Sequence, residues 1–154
     1  MYKILWRNIM SDFTYKELLS ENDTDIDKLL QIYGLPDVSR FINISDNYFH
    51  YVTNTENVYF YKIYIKDKLF GTIHLEKHKT LLYMDILIFP EFQRMGLATK
   101  VIKDIQQDIF KINYDKIVIS IDEINVASIR LFEKCGFLME SREDELLNYV
   151  YKNE

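Results

Sequence analysis

Apolar residues recur at every second position in one part of the chain and at helical spacing in another. The alternating part covers residues 58–65 and 69–75, with the polar triplet Lys66-Asp67-Lys68 between them. Alternation predicts strands with one buried face, and a short polar turn between two such strands predicts a hairpin. A stripe formed by Leu97, Val101, Ile105 and Ile109 predicts a long helix from about Leu97 to Asn113.

The remaining patterns complete a chain of alternating strands and helices. A strand over 13–19 precedes a helix from about Ile26 to Tyr33 that stops at Gly34, and two short helical pieces follow it. After the hairpin and a polar turn over 76–80, the predicted elements are a strand over 81–89, the long helix, a strand over 117–121, a helix over 126–134, and strands over 137–142 and 146–151. This order predicts a mixed α/β sheet of about seven strands with helices on both faces, in a single domain covering 1–154.

The segment that joins the strand over 81–89 to the long helix carries the clearest chemical signal. The apolar strand end Ile86-Leu87-Ile88 is followed by Pro90, a loop, and Gly96 directly before the helix. The first N–H groups of a helix have no acceptor inside it, and the helix dipole adds partial positive charge there. Glycine lets the backbone approach a ligand, and residues 93–103 contain three basic side chains and no acid. The combination predicts a phosphate-binding loop.

The same loop carries a family resemblance. Its sequence QRMGLA fits the pattern Gln/Arg-x-x-Gly-x-Gly/Ala and resembles the acetyl-CoA signature of the GNAT N-acetyltransferase superfamily. A second block, residues 125–137, resembles the later motif of that family, Asn-x-x-Ser/Ala-x-x-Leu-Tyr-x-x-x-Gly-Phe. The resemblance is strong from about Lys68 to Phe137. Two motifs in the right order are far more specific than either alone.

The resemblance implies a GNAT-like fold with acetyl-CoA as the acetyl donor. It implies that the strands holding Ile88 and Ile119 are parallel and splay apart, so that the pantetheine arm lies between them. The arm pairs with the backbone of Ile86, Leu87 and Ile88, as an added strand would. The residues assigned to the pyrophosphate are Gln93, Arg94, Met95, Gly96, Leu97, Ala98 and Thr99.

Three further residues have both a functional and a structural interpretation. Asn125 either binds the cofactor arm or caps its helix, and Ser128, one turn later on the same face, either joins it or is a small packing residue. Asp85 is an acid inside an apolar strand, where a charge is costly unless it is paired or hydrated. Some GNAT members place an aspartate there beside the acceptor, so we assign Asp85 tentatively as catalytic; the alternative is a hydrogen bond to a loop.

The histidines and the cysteine give no site of their own. His74 and His78 are four residues apart but lie in a strand and turn, without the His-Glu-x-x-His order of a metal helix, so we interpret both as surface residues and assign no metal. Cys135 is the single cysteine, so no disulfide forms within the chain, and we interpret it as a small apolar residue near a helix end.

The composition of the chain limits the kinds of molecule that we expect it to bind. The net charge of −5 argues against general nucleic-acid binding and weakly favours a cationic acceptor. No apolar run approaches the ~18 residues of a membrane span, and the first residues lack the apolar core of a signal peptide. We therefore expect a cytoplasmic monomer or homodimer whose partner is a small-molecule or peptide amine, with no nucleic acid and no membrane.

Two departures from the family leave a second function open. Phe132 stands where many members have a tyrosine thought to protonate the leaving thiolate, and Ser120 stands where ribosomal-protein alanine acetyltransferases have a glutamate. The first hypothesis is acetyl transfer to a primary amine through a ternary complex. The second is a non-catalytic acyl-CoA-binding or sensing domain with the same fold, and the missing tyrosine and glutamate favour it slightly.

Overall fold

The computed structural model describes residues 13–153 of the chain. Its helices are α1 (Ile26–Tyr33), α2 (Pro36–Ser39), α3 (Tyr48–Asn54), α4 (Leu97–Gln106) and α5 (Val126–Lys134), and a 3-10 turn covers Pro90–Phe92. Its strands are β1 (Phe13–Glu17), β2 (Val58–Ile65), β3 (Lys68–His78), β4 (Leu81–Ile88), β5 (Lys116–Asp122), β6 (Leu138–Glu143) and β7 (Leu146–Lys152).

The strands of this part of the chain form one mixed sheet in the order β1-β2-β3-β4-β5-β7-β6. β4 and β5 are parallel, as predicted, whereas β1 with β2, β5 with β7, and β6 with β7 are antiparallel. The ladder between β4 and β5 joins residues 81–83 to residues 116–118. The predicted fold class, a seven-stranded mixed sheet with helices, is therefore confirmed.

The described chain divides into two compact units. The first comprises the residues up to His74 together with Ile86–Leu97, and the second comprises Leu75–Asp85 and the residues from Ala98 onward. The expectation of a single domain stays a prediction. None of the helices within residues 13–153 is long and apolar enough to cross a membrane.

The first unit is built around an apolar cluster contributed by its helices and strands. Its buried members are Leu18, Leu29, Tyr33, Val38, Phe49, Val52, Phe60, Leu69, Leu87 and Phe89. Gly71 allows β3 and β4 to approach, because a Cβ at this position would lie 2.6 Å from the Leu87 carbonyl oxygen.

A partly buried ion-pair network lies beside this cluster, formed by the buried Lys62 and two half-buried aspartates. The Lys62 Nζ atom donates to both carboxylate oxygens of Asp23 at 2.9 Å and to Asp25 Oδ2 at 2.8 Å, and the Tyr64 hydroxyl donates to Asp25 Oδ2 at 2.5 Å. Burial alone would raise the pKa of Asp25, but the bonds from Lys62 and Tyr64 outweigh it and lower that pKa. Burial alone would lower the pKa of Lys62, but its bonds to Asp25 and Asp23 raise it.

The second unit packs α4 and α5 with the strands that close the chain. Val101 and Ile102 of α4 and Ile117 of β5 are fully buried. Phe132 of α5 is also buried, and its ring meets Phe137 edge-on at a centroid distance of 5.1 Å. The apolar positions predicted for α4 thus form a core face as far as Ile105.

Two local predictions were wrong. The helix predicted over 97–113 ends at Gln106, because Asp108 takes a left-handed conformation (φ 60°), and Ile109 is consequently 48% exposed. The polar turn predicted over 76–80 is shorter, since β3 continues to His78.

Candidate functional site

The end of β4 presents backbone groups that β3 does not use. The Phe89 N–H donates to the Phe70 carbonyl at 2.8 Å, which sets the register of β3 and β4. In an antiparallel pair, alternate residues direct both N–H and C=O at the neighbouring strand. Leu87 and Phe89 therefore direct these groups at β3, and Ile86 and Ile88 direct theirs away from it. The predicted pairing of this strand with a pantetheine arm depends on those outward groups.

The chain after β4 is held by short-range bonds within the first unit. The Phe92 N–H donates to the Phe89 carbonyl at 2.8 Å, and the Gln93 N–H donates to the Pro90 carbonyl at 3.3 Å. The Phe92 ring lies 6.0 Å from that of Phe70. The Gln93 side chain adds a bond from Nε2 to the Ile88 carbonyl at 2.9 Å. The loop therefore starts from a fixed position at the end of β4.

Two residues of the loop have left-handed backbone conformations. Arg94 has φ 64° and Gly96 has φ 78°. A left-handed residue other than glycine is uncommon and costs on the order of 1–3 kcal/mol, a form of strain that is concentrated at binding sites. Residues 93–96 are all exposed, whereas Leu97 is buried and anchors the start of α4.

The surroundings of Gly96 indicate whether this loop has room for a phosphate group. A Cβ at Gly96 would meet no atom within 4 Å, so no packing inside the protein requires glycine there. The space above its backbone is open, directly before a ten-residue helix whose first N–H groups lack intrahelical acceptors. The loop residues thus fit an anionic ligand approached by backbone N–H groups.

The charge near the loop is less positive than the sequence suggests. Lys100 forms an ion pair with the buried Asp104, one turn later on α4. Arg94 remains exposed at the loop. Ala98 and Thr99 are half-buried in the first turn of the helix.

Asn125 caps its helix. Its Oδ1 atom accepts a hydrogen bond from the Ser128 N–H at 3.3 Å. Of the two roles predicted for Asn125, helix capping is therefore the one that this oxygen performs. Both side chains are half-buried. A cofactor contact through either residue stays a prediction.

Asp85 is exposed near the end of β4. Its catalytic role stays a prediction.

Sequence reasoning missed a bonded tyrosine–histidine pair in the first unit. His74 is half-buried rather than a surface residue, and its Nδ1 atom lies 2.5 Å from the Tyr48 hydroxyl. Two residues earlier on β3, the buried Thr72 shares a 2.8 Å hydrogen bond with the Tyr33 hydroxyl. Polar residues at alternate positions of an otherwise apolar strand were the available signal. His78, by contrast, is exposed as predicted.

Two tyrosines of β7, Tyr149 and Tyr151, belong to the same unit as Phe132, the residue that replaces the tyrosine found in many relatives. Tyr149 is buried, and that burial raises its pKa. Tyr151 is half-buried against the Phe137 ring at a centroid distance of 5.5 Å. Ser120, at the position of the glutamate found in some relatives, donates its hydroxyl to Asn148 Oδ1 at 2.7 Å.

Solved structures share this fold. Spermidine N-acetyltransferase from Vibrio cholerae, in complex with CoA and spermine, has a TM-score of 0.79 at 17% identity, over 93% of this chain and 96% of that one. A domain from Methanocaldococcus jannaschii DSM 2661 has a TM-score of 0.78 at 18% identity, over 91% and 97%. The N-acetyltransferase PseH from Campylobacter jejuni, in complex with acetyl coenzyme A, has a TM-score of 0.74 at 10% identity, over 92% and 99%. At such identities the similarity shows the fold alone.

Sequence comparison identifies the family. No curated protein matches the chain. The model of the acetyltransferase (GNAT) family matches residues 18–137, which include both motifs and the loop with its two left-handed residues. The chain therefore belongs to the acetyltransferase (GNAT) family.

Proposed function

We propose that this protein transfers an acetyl group from acetyl-CoA to a primary amine, with both substrates bound at once. The observation that carries the proposal is the loop QRMGLA, in which Arg94 and Gly96 are left-handed and the space above Gly96 is open. A loop that stores backbone strain, leaves glycine unpacked and leads into a helix start is suited to a pyrophosphate.

Donor binding is assigned to backbone groups of the first unit and the first turn of α4. The N–H groups along residues 93–99 are proposed to bind the pyrophosphate. The outward groups of Ile86 and Ile88 are proposed to pair with the amides of the pantetheine arm, and a nearby N–H to bind the carbonyl oxygen as it gains charge. Acetyl-CoA supplies an acetyl thioester. A neutral amine attacks its carbonyl carbon, the C–S bond breaks, and CoA leaves as a thiolate.

The energetic problem lies on the acceptor side. An alkyl ammonium with a pKa near 10.4 must lose its proton, which at pH 7 costs ~4.6 kcal/mol. Holding two reactants in place can contribute ~7–11 kcal/mol. Positioning can therefore support the reaction without a phenol at Phe132. Asp85, exposed in β4, is the proposed proton acceptor, directly or through water.

The acceptor is a small-molecule or peptide amine. The chain carries a net charge of −5, which favours a cationic substrate. Spermine in the complex of the Vibrio cholerae enzyme supports including polyamines among the candidates. We place the protein in the cytoplasm, as a monomer or homodimer.

A thiol-release screen over an amine panel tests the proposal. The panel contains a polyamine, an aminoglycoside, a peptide with a free N-terminus and a lysine derivative. Release of CoA thiol that requires one of these amines supports transfer. The non-catalytic alternative predicts CoA binding in calorimetry, and no release of thiol from acetyl-CoA in the presence of any of the amines.

The Asp85 assignment has its own test. Asp85→Asn should lower kcat/KM for the best amine and leave the KM for acetyl-CoA near that of the wild type. Asp67→Asn, an exposed aspartate in the turn between β2 and β3, is the control. Unchanged amine kinetics in Asp85→Asn would assign Asp85 a structural role.

A further inference from the structure

The Gln93 side chain occupies a backbone group on the outward edge of β4. Its Nε2 atom donates to the Ile88 carbonyl at 2.9 Å, across the 3-10 turn. Ile88 is one of the two residues whose N–H and C=O point away from β3, in the register set by the Phe89–Phe70 bond. Ile86 and Ile88 each direct one N–H and one carbonyl away from β3. Gln93 binds one of these four groups, the Ile88 carbonyl.

This bond ties the loop to the strand. A glutamine amide donates to a carbonyl as a peptide N–H does, so the bond resembles one further rung of a ladder. Arg94, the next residue, has a left-handed backbone (φ 64°), and Gly96 follows two residues later (φ 78°). A rotation at the start of this segment would turn every later N–H group.

We propose that Gln93 is a positioning residue: its side chain ends the outward edge of β4 at the Ile88 carbonyl and fixes the direction of the loop N–H groups. The role rests on the proposed donor site, because those N–H groups are the ones assigned to pyrophosphate. In this arrangement Gln93 contributes through its bond to Ile88, and the pantetheine arm pairs with the three outward groups that remain.

The opposite role is a distinct outcome. If Gln93 were instead a barrier that the pantetheine arm must displace from the Ile88 carbonyl, its removal would free an acceptor and strengthen CoA binding. Stronger binding on removal of the amide would therefore overturn the proposal.

Gln93→Met tests the role, since methionine keeps the length of the side chain and cannot donate. We expect the Kd for CoA in calorimetry to rise about 3- to 10-fold, the value of one lost hydrogen bond. In the ligand-free protein, we expect lower backbone ¹⁵N NMR order parameters at residues 94–97, because the segment loses its bond to the strand. An unchanged Kd together with unchanged order parameters would overturn the proposal.

Gln106→Met is the matched control. The Gln106 Nε2 atom donates to the Cys135 carbonyl at 2.8 Å, so the variant loses the same kind of bond in the second unit. We expect it to leave both the Kd and the order parameters of residues 94–97 unchanged. An equal effect from both variants would indicate a general loss of stability and would overturn a specific role for Gln93.

Gln93→Arg supplies a rescue, because a guanidinium also donates to a carbonyl. It should restore the wild-type order parameters at residues 94–97, where Gln93→Met does not. These NMR measurements need no ligand. If wild-type protein failed to bind CoA, the proposed function would fail, while the bond between Gln93 and the strand would still be tested.

Discussion

The two longest helices described in the chain begin in opposite ways. Before α5, the Asn125 side chain accepts the Ser128 N–H, so the helix start is closed by its own residue. Before α4, the corresponding residue is Gly96, which has no side chain and lies under open space. Two left-handed residues in the loop lead to that start.

The difference indicates which helix start is available to a ligand. A capped start uses a side-chain oxygen to satisfy an N–H group that would otherwise need another acceptor. A start at a left-handed glycine leaves such groups to solvent or to an anion. The sequence motifs assign the N-termini of both helices to the cofactor. The geometry favours the N-terminus of α4 for phosphate, whereas the cap at the N-terminus of α5 stabilises that helix.

The largest expected effect comes from a side chain that fills the open space before α4. Gly96→Val places a branched side chain at a left-handed position where the backbone is proposed to meet pyrophosphate. We expect the Kd for CoA in calorimetry to rise at least tenfold, or ~1.4 kcal/mol. The thermal unfolding curve checks that the variant is folded.

Gly136→Val is the control for this variant. Gly136 is also left-handed (φ 89°), and a Cβ there would have only ordinary contacts with Tyr151 at 3.9 Å. The Gly136→Val variant therefore imposes similar backbone strain after α5 and leaves the loop over 93–96 unchanged. Equal CoA affinity in wild type and Gly96→Val would remove the phosphate assignment.

A smaller effect is expected at the capped start. Asn125→Ala should lower the free energy of unfolding by about 1 kcal/mol, because the Ser128 N–H loses its acceptor. Asn125→Asp retains a cap oxygen and should stay near the wild type. If Asn125→Ala weakened CoA binding as strongly as Gly96→Val, the contrast between the two starts would fail.

The smallest effect concerns α1, whose preceding residue Asp25 is tied to Lys62 and Tyr64. The pKa of Asp25 is lowered from 3.8 in the folded protein, so the contribution of this carboxylate is present above that value. It is lost as the pH falls through the lowered pKa. Between pH 6 and pH 2, the free energy of unfolding measured in urea should fall less in Asp25→Asn than in the wild type.

Asp67→Asn is the control for the pH series, because Asp67 is exposed in the turn between β2 and β3, away from any helix start. It should retain the wild-type acid dependence. An identical pH dependence in wild type and Asp25→Asn would contradict the role of this ion pair.

Local signals predicted much of this fold. The bounds of α5 are correct, because Asn125 can cap a helix and Gly136, left-handed at φ 89°, marks its end. The stripe that predicted α4 continues to Ile109, yet the left-handed Asp108 ends the helix first. Apolar spacing alone cannot report such a break.

Contacts between distant residues explain what the sequence could not predict. His74 is half-buried because it meets Tyr48, which is 26 residues away in the chain. The bond from Gln93 to the Ile88 carbonyl depends on a side-chain rotamer and on which way one peptide group points. The motif identifies the loop, whereas only the structure gives the direction of its groups.

The single cysteine has a practical consequence for measuring this reaction. Cys135 is buried, and that burial raises the pKa of its thiol. Thiolate is the form that reacts with disulfide reagents. A colorimetric reagent added during turnover should therefore report the CoA released, with little background signal from the native protein.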